Sequence, residues 1–294
     1  APSFSVATLL EWTPESDPDA RYSRASIPLA DRKGGFVVNP KANPEAKLML
    51  CSLANSAHDT TSAQGTENFM SWSFNYWQYT DSFVYWSGSE EGLICLPTGE
   101  FTDAAHTNGV PVVATLGFPW GSGAGYADEV SQFCQKAEDG SFPVADKMLE
   151  LMDYYGFDGY FFNQESYGCN SEIASRLDEM IRYMRAKCPD ILISWYDSMV
   201  PSGNVSYQNA VNSTNQRWME RSADGSVGVN EFFMNYNWYE TQVSTTIQTM
   251  KSIERSPFDA FAGLDVQQNG MNTPFRDELL LDEDGKLKLS IALY

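Results

Sequence analysis

Eight short runs rich in β-branched and aromatic residues recur along the chain, with segments of helical length between them. They span residues 46–54, 81–88, 110–118, 157–165, 191–199, 231–238, 260–267 and 287–294. Strands that alternate with helices pair in parallel through right-handed crossovers. Eight such units predict an α/β fold, a closed (β/α)8 TIM barrel, rather than an open doubly wound sheet. No glycine-rich phosphate-binding fingerprint follows the first run, which disfavours a nucleotide-binding sheet.

The clearest helix signal lies in residues 171–188. Ile173, Leu177 and other apolar residues recur on one face, and Ser171 is the expected N-cap. Pro189 follows where a helix has to stop. The sequence therefore predicts one long amphipathic helix between the fourth and fifth strands.

The two ends of the chain differ from its middle. Residues 1–45 are polar and contain several prolines, so we expect a lead-in that packs on a barrel formed by residues 46–294. The last residue, Tyr294, lies within the eighth run, and no eighth helix follows it. We therefore expect that the sequence was cut from a longer protein after strand eight.

Charge and composition exclude several classes of partner. The chain has 39 acidic and 19 basic residues, a formal net charge of −20, so it repels phosphate backbones and we expect no nucleic-acid partner. No apolar stretch reaches membrane-spanning length, which predicts no membrane insertion. Five cysteines without metal-like spacing predict neither a disulfide scaffold nor a metal site, and we expect no cofactor.

The fourth run ends in polar residues, in the stretch GFDGYFFNQE at residues 156–165. Side chains alternate along a strand, so Asn163 and Glu165 share one face, about 6–7 Å apart. In parallel barrels the chemistry lies at the carboxyl ends of the strands. The pair therefore marks a candidate active site, although two polar residues also serve simply to end a strand.

The same stretch fits the frame D-G-x-D-x-D-x-E of family 18 chitinases. Asp158, Gly159 and Glu165 are in register, whereas Phe161 and Asn163 replace the middle and last aspartates. In that chemistry the 2-acetamido oxygen of the substrate attacks the anomeric carbon, an exception among retaining glycosidases. An Asn in the last position can orient the acetamide by accepting its N–H.

Four stretches carry a more specific resemblance: GFDGYFFNQE, residues 74–86, residues 101–121 and residues 232–238. Together with the opening segment they resemble the endo-β-N-acetylglucosaminidases of glycoside hydrolase family 85. The resemblance implies hydrolysis of the GlcNAc-β-1,4-GlcNAc bond in the core of N-linked glycans, with transglycosylation as a further activity. It also implies β-sandwich domains after the barrel. From the substrate we expect an extracellular or cell-surface location, with a cytoplasmic location as the alternative.

The resemblance also assigns roles to single residues. Glu165 matches the general acid/base, Asn163 the amide that orients the acetamide, and Tyr196 a tyrosine near the reacting centre. The expected substrate-binding residues are Trp238, Trp120, Phe118, Tyr207, Gln164 and Asn235. Each of these aromatic rings has packing in the barrel as its alternative interpretation. Tyr207 also departs from the family, which has tryptophan there.

Two rival functions remain open at this stage: a family 18-like chitinase, and a non-catalytic glycan-binding lectin on the same barrel. Phe161 in place of an aspartate disfavours the chitinase, and the retained Glu165 disfavours the lectin. The two histidines, His58 and His106, receive no functional role.

Overall fold

The computed structural model describes residues 3–32, 39–53, 74–87 and 92–294, and within them it forms a closed parallel barrel. The barrel strands are β1 (Leu48–Leu53), β2 (Ser82–Trp86), β3 (Val112–Gly117), β4 (Gly159–Asn163), β5 (Leu192–Tyr196), β6 (Glu231–Phe233), β7 (Ala260–Leu264) and β8 (Ser290–Leu293). Each strand pairs in parallel with the next, and β8 pairs with β1 to close the ring. The predicted (β/α)8 barrel and all eight predicted strands are confirmed.

The alternation of side chains divides each strand between two apolar layers. Val84, Val113, Phe161 and Phe233 point into the barrel, where they pack on one another. The residues between them, such as Phe162, face outward and join the larger core between the sheet and the helices. Both faces are apolar because helices cover the outside of a parallel barrel.

The described helices are α1 (Val6–Glu11), α2 (Gly99–Thr107), α3 (Tyr126–Phe133), α4 (Pro143–Tyr155), α5 (Ser171–Lys187), α6 (Glu240–Ser252), α7 (Val266–Asn269) and α8 (Asp277–Leu280). Helix α5 is the predicted amphipathic helix. Its N-cap is Asn170 rather than Ser171, because the Asn170 side chain accepts from the Ile173 N–H at 3.0 Å. Ser171 is instead the first helical residue.

The amino-terminal segment lies against the helices of the barrel. The Asp103 carboxylate on α2 accepts from the backbone N–H groups of Ser26 and Ile27. A short strand, Ser3–Phe4, pairs antiparallel with Ile94–Cys95, which in turn pairs with β3. These contacts place residues 3–32 on the outside of the barrel, away from the carboxyl ends of most strands.

Strand β4 begins at a glycine because the neighbouring strand comes very close. A Cβ atom on Gly159 would lie 1.8 Å from the carbonyl oxygen of Leu192 on β5. Every residue with a side chain would separate the two strands there. Gly159 therefore fixes the position of β4, whose far end carries Asn163.

None of the described helices is both long and apolar enough to cross a membrane. His58, which the sequence left without a role, lies outside the described residues.

Candidate active site

The carboxyl ends of the barrel strands surround a cavity of about 150 Å³. Nine residues line it: Cys51, Trp86, Phe161, Asn163, Glu165, Tyr196, Phe233, Tyr236 and Tyr294. All three residues to which the sequence assigned catalytic roles, Glu165, Asn163 and Tyr196, are among them. The cavity therefore lies where chemistry occurs in barrels of this kind.

Asn163 is the last residue of β4, and its side chain is buried with only 6% exposed. Its Nδ2 atom donates to Glu165 Oε2 at 3.0 Å. Because Glu165 Oε2 accepts this hydrogen bond, the NH₂ end of the amide is directed toward Glu165. The carbonyl oxygen, Oδ1, is left buried without a hydrogen-bond partner.

Such an orphaned acceptor is costly in a folded protein unless something donates to it. Asn163 Oδ1 belongs to a residue that lines the cavity, so a bound molecule with an N–H group can meet this need. The arrangement therefore favours a ligand that carries an amide.

Glu165 lies just beyond the strand and is half-buried. Its second oxygen, Oε1, accepts from the Tyr207 hydroxyl at 2.6 Å. Its backbone is fixed as well, because the carbonyl of Glu165 accepts from the Gly121 N–H at 3.0 Å. Side chain and backbone thus both hold this acid at the mouth of the cavity.

Tyr196 ends β5, the strand next to β4, and its ring faces the cavity. Burial raises the pKa of its hydroxyl strongly, and the charge of Glu165 raises it further. The phenol therefore stays neutral at every working pH and remains able to donate a hydrogen bond.

Aromatic rings form most of the wall, and of these the sequence assigned only Tyr196 to the site. Trp86 donates from Nε1 to the Tyr294 hydroxyl at 3.1 Å and meets Phe161 edge-on, with ring centroids 5.8 Å apart. Phe233 and Tyr236 form the adjoining side. A signal existed for Trp86 and Phe233, because each is the last residue of its barrel strand.

Two of the predicted sugar-binding rings lie in the core, and those predictions are wrong. Trp238 is 1% exposed and donates from its indole to the carbonyl of Gly263 at 2.8 Å. Phe118 is also 1% exposed and packs edge-on against Phe133 on α3. Neither ring has a face that a sugar can reach.

Gln164 and Asn235 also have structural roles in place of the predicted contacts with substrate. Gln164 is fully buried on the outer face of β4, where its side chain accepts from the Ser166 N–H at 2.6 Å. Asn235 adopts a left-handed conformation, with φ of 70°, and its Oδ1 accepts from the Tyr236 N–H. These bonds fix the turns that carry Glu165 and Tyr236, respectively.

The other two predicted binding residues lie beside the cavity. Tyr207 is 36% exposed, and its ring centroid is 6.4 Å from that of Tyr196. Trp120 is 67% exposed and meets Tyr167 edge-on. Burial and Glu165 raise the pKa of Tyr207, whereas its contact with Trp120 lowers it. Trp120 and Tyr207 therefore form an open aromatic surface next to Glu165.

In the part of the chain that the structure describes, no group of three or more His, Cys, Asp and Glu side chains is placed to hold a metal ion. Cys51 faces the cavity, but burial raises the pKa of its thiol far above the usual range. Glu165, Asn163 and Tyr196 are therefore the candidate catalytic residues of this cavity.

The sequence of residues 54–294 matches the family model described as glycosyl hydrolase family 85. The chain belongs to glycosyl hydrolase family 85. The family predicted from GFDGYFFNQE and its companion stretches is thereby confirmed.

Curated relatives in family 85 include animal and plant enzymes. The chain is 29% identical over 305 residues to the mouse cytosolic endo-beta-N-acetylglucosaminidase, with 99% of this chain and 38% of the relative covered. It is 28% identical over 267 residues to the chicken protein of the same name, with 89% and 33% covered. The chain thus spans little more than a third of the length of these relatives.

Among solved structures, the glycoside hydrolase domain of Endo-D from Streptococcus pneumoniae R6 superposes on the whole chain. The TM-score is 0.93 and the sequence identity 37%, with 100% of this chain and 46% of that chain covered. A family 85 barrel of known structure therefore shares both the fold and its strand connections.

The names of the relatives correct one expectation. Secretion was inferred from the substrate alone, yet the mouse, chicken and human relatives are named cytosolic enzymes. These names do not support the predicted extracellular location, and the cytoplasmic alternative stays a prediction for this chain.

Proposed function

We propose that this chain is the catalytic barrel of an endo-β-N-acetylglucosaminidase. It cleaves the GlcNAc-β-1,4-GlcNAc bond of N-linked glycans by a retaining mechanism in which the substrate supplies the nucleophile. The observation that carries the proposal is the amide of Asn163: its nitrogen is tied to Glu165, and its buried oxygen has no partner. An acceptor beside a single acid suits a sugar with a 2-acetamido group.

The first step needs the acetamide oxygen at the anomeric carbon. Asn163 Oδ1 accepts the acetamide N–H, which fixes the rotation of the group and adds electron density to its oxygen. The oxygen then attacks the anomeric carbon, and an oxazolinium ring forms. Asn163 does this work without placing a second negative charge beside Glu165.

Glu165 provides the proton that the departing sugar needs. In its acid form it protonates the glycosidic oxygen, so the reducing-end GlcNAc leaves as a neutral alcohol. The resulting carboxylate then removes a proton from the water that opens the oxazolinium ring. Two displacements at one carbon return the original anomeric configuration.

The remaining walls of the cavity serve the ring that reacts. Trp86, Phe161 and Phe233 exclude water from an apolar space, and exclusion of water strengthens the hydrogen bonds formed there. The neutral Tyr196 hydroxyl donates to the acetamide oxygen or to Glu165 as charge develops. The exposed Trp120 and Tyr207 suit the sugar or peptide on the leaving side.

The experiment is a digestion of one glycopeptide that bears a single high-mannose glycan. We expect mass spectrometry to show the peptide with one GlcNAc and a glycan that ends in the other GlcNAc. Proton NMR on the fresh product should show the β anomer first. A sugar-free peptide, a first product with the α configuration, or cleavage of chitin oligomers alone would contradict the proposal.

A further inference from the structure

A second buried carboxylate lies directly behind the proposed catalytic residues. Asp197 follows Tyr196 at the end of β5, and its side chain is only 1% exposed. Its Oδ2 atom accepts from the backbone N–H of Asn209 at 2.5 Å, and its Oδ1 atom accepts from Asn215 Nδ2 at 3.1 Å. One side chain thus ties two points of the loop 198–215 back to the strand.

Burial of the Asp197 carboxylate costs free energy, because the charged group loses its contact with water. None of the ion pairs among the described residues includes Asp197, so backbone and amide N–H groups alone compensate its charge. Burial raises the pKa of Asp197 to about 7, against the opposing effect of the bonds from Asn209 and Asn215. A carboxylate in such a place is normally kept only where its hydrogen bonds hold something important.

The loop that Asp197 ties down carries Tyr207. On one side of Tyr207, the backbone N–H of Ser206 donates to the carbonyl of Ser198 at 2.8 Å. On the other side, the next anchor is Asn209, whose N–H meets Asp197. Between these anchors the Tyr207 hydroxyl reaches Glu165 Oε1 at 2.6 Å.

Asn209 also explains why this anchor is rigid. Its φ is 53°, in the left-handed region, which asparagine adopts more readily than most residues with a side chain. Its Oδ1 atom accepts from the Asn237 N–H at 2.9 Å, which joins the loop to the segment after β6. Asp197 supplies the bond on the other side of the same residue.

We propose that Asp197 is a positioning residue, which acts through the backbone of Asn209 to hold Tyr207 against Glu165. The inference rests on the proposed function, because it gives Asp197 a part in the reaction that Glu165 carries out. The anchor at Ser206 joins two backbone groups, so it does not depend on the Ser206 side chain. The anchor at Asn209 depends on one side chain and can be removed.

The test is a double-mutant cycle with Asp197→Asn and Tyr207→Phe, measured on a high-mannose glycopeptide. Asp197→Asn weakens the hydrogen bond from the Asn209 N–H, and Tyr207→Phe removes the one from the Tyr207 hydroxyl to Glu165. We expect each variant to lower kcat about tenfold. Asp197 does not line the cavity, so its effect on kcat has to pass through Tyr207. The kcat of the double variant should be within about twofold of the kcat of the slower single variant, since both changes act on one contact.

Two kinetic results would overturn the proposal. If the losses multiply to about a hundredfold in the double variant, Asp197 acts independently of Tyr207. If Tyr207→Phe keeps the kcat of the parent, the contact between Tyr207 and Glu165 does not contribute to the reaction. If Asp197→Asn keeps it, Asp197 does not hold that contact in place.

Glu231→Gln is the matched control. Glu231 is 4% exposed and lies at the amino end of the barrel, where Oε2 accepts from Ser194 at 2.7 Å and from Ser82 at 3.2 Å. This substitution also disturbs a buried carboxylate with two donors. We expect lower stability but an unchanged kcat below the unfolding temperature. An equal loss of kcat in this control would mean that any loosening of the barrel lowers the rate, against the proposal.

A structural readout keeps the test independent of activity. In Asp197→Asn we expect the amide proton resonance of Asn209 to move upfield, and a crystal structure to show the Tyr207 hydroxyl away from Glu165. Should that variant not fold, Asn215→Ala, which removes one donor, should produce smaller changes in the same direction. Unchanged contacts would overturn the proposal, whereas a folded parent without glycan release would refute the proposed function instead.

Discussion

The side-chain nitrogen of Asn163 lies 3.0 Å from Glu165 Oε2, at the tip of one barrel strand. This single bond sets the direction of the whole amide, since the oxygen has to point the other way. In the proposed mechanism one carboxylate is sufficient, because the amide aims the substrate's own oxygen and does not attack. The predictions below test the acid, the aromatic rings, a structural ion pair and finally the amide.

Replacement of the acid is expected to stop hydrolysis of natural substrate. Glu165→Gln keeps the size of the side chain but has no proton to give, and general acid catalysis contributes about 10²–10⁴-fold. We expect a loss of that order in kcat for release of a high-mannose glycan, followed by mass spectrometry. Glu172→Gln, on the exposed surface of α5, is the control and should keep the parent rate. Parent-like turnover by Glu165→Gln would remove this residue from its role.

The two tryptophans that the sequence treated alike should behave in opposite ways. Trp238→Ala empties a core position, and large-to-small substitutions of buried aromatic residues cost about 3–5 kcal/mol. Trp120→Ala removes an exposed ring, and we expect a change in the free energy of unfolding within about 0.5 kcal/mol. For Trp120→Ala we expect instead a higher KM for glycopeptide. Urea unfolding and steady-state kinetics on both variants measure the two effects.

The opposite pattern would contradict this assignment. If Trp238→Ala kept its stability and lost only substrate affinity, the ring would have to reach the cavity. If Trp120→Ala bound glycopeptide as well as the parent, the exposed aromatic surface would play no part in binding.

His106 should make the stability of the fold depend on pH. Its Nδ1 atom lies 2.7 Å from the carbonyl of Ile27, and its Nε2 atom lies 2.8 Å from Asp158 Oδ2. Both partners are acceptors, so the two hydrogen bonds form together when both ring nitrogens carry protons, that is, in the cationic ring. Burial lowers the pKa of His106, but the hydrogen bond and charge of Asp158, with help from Ile27 and Asp103, raise it on balance.

A raised pKa in the folded state means that the folded protein binds this proton more tightly than the unfolded chain. The stabilisation is fully present below the ordinary histidine pKa of about 6.5 and is lost as the pH rises through the raised value. His106→Gln should therefore cost more stability near pH 6 than near pH 9, as measured by urea unfolding. Thr102→Val, a buried change in the same helix, should cost the same at both. A cost of His106→Gln that does not depend on pH would contradict the ion pair.

The strands and the catalytic pair were predictable because both depend on short-range periodicity. A period of two assigns Asn163 and Glu165 to one face, and eight apolar runs with helical spacers leave few alternatives to a barrel. The same rule explains the wall residues that were missed, since Trp86 and Phe233 also end their strands. They are apolar, however, and the sequence pattern of an apolar residue at a strand end predicts a position in the hydrophobic core.

Beyond the strand ends the alternation of side chains stops, so the sequence no longer predicts the direction in which a side chain points. Asn235 turns the chain with a positive φ, so Tyr236 faces the cavity whereas Trp238, two residues further, enters the core. The predicted role of Trp238 depended on its position at the end of the sixth predicted strand, and the geometry of this turn overrides it. The contact between Asp197 and Asn209 was not predictable either, because eleven residues of irregular loop separate them.

The most direct test of the account compares two substrates of Asn163→Ala. One is a high-mannose glycopeptide, and the other is a synthetic sugar oxazoline, in which the ring that Asn163 helps to form already exists. The account predicts that hydrolysis of the glycopeptide falls by about 10²–10³-fold, the cost of one aimed hydrogen bond at a reacting centre, while the oxazoline is still opened or transferred. Equal loss on both substrates, or parent-like hydrolysis of the glycopeptide, would contradict the claim that Asn163 aims the attacking acetamide.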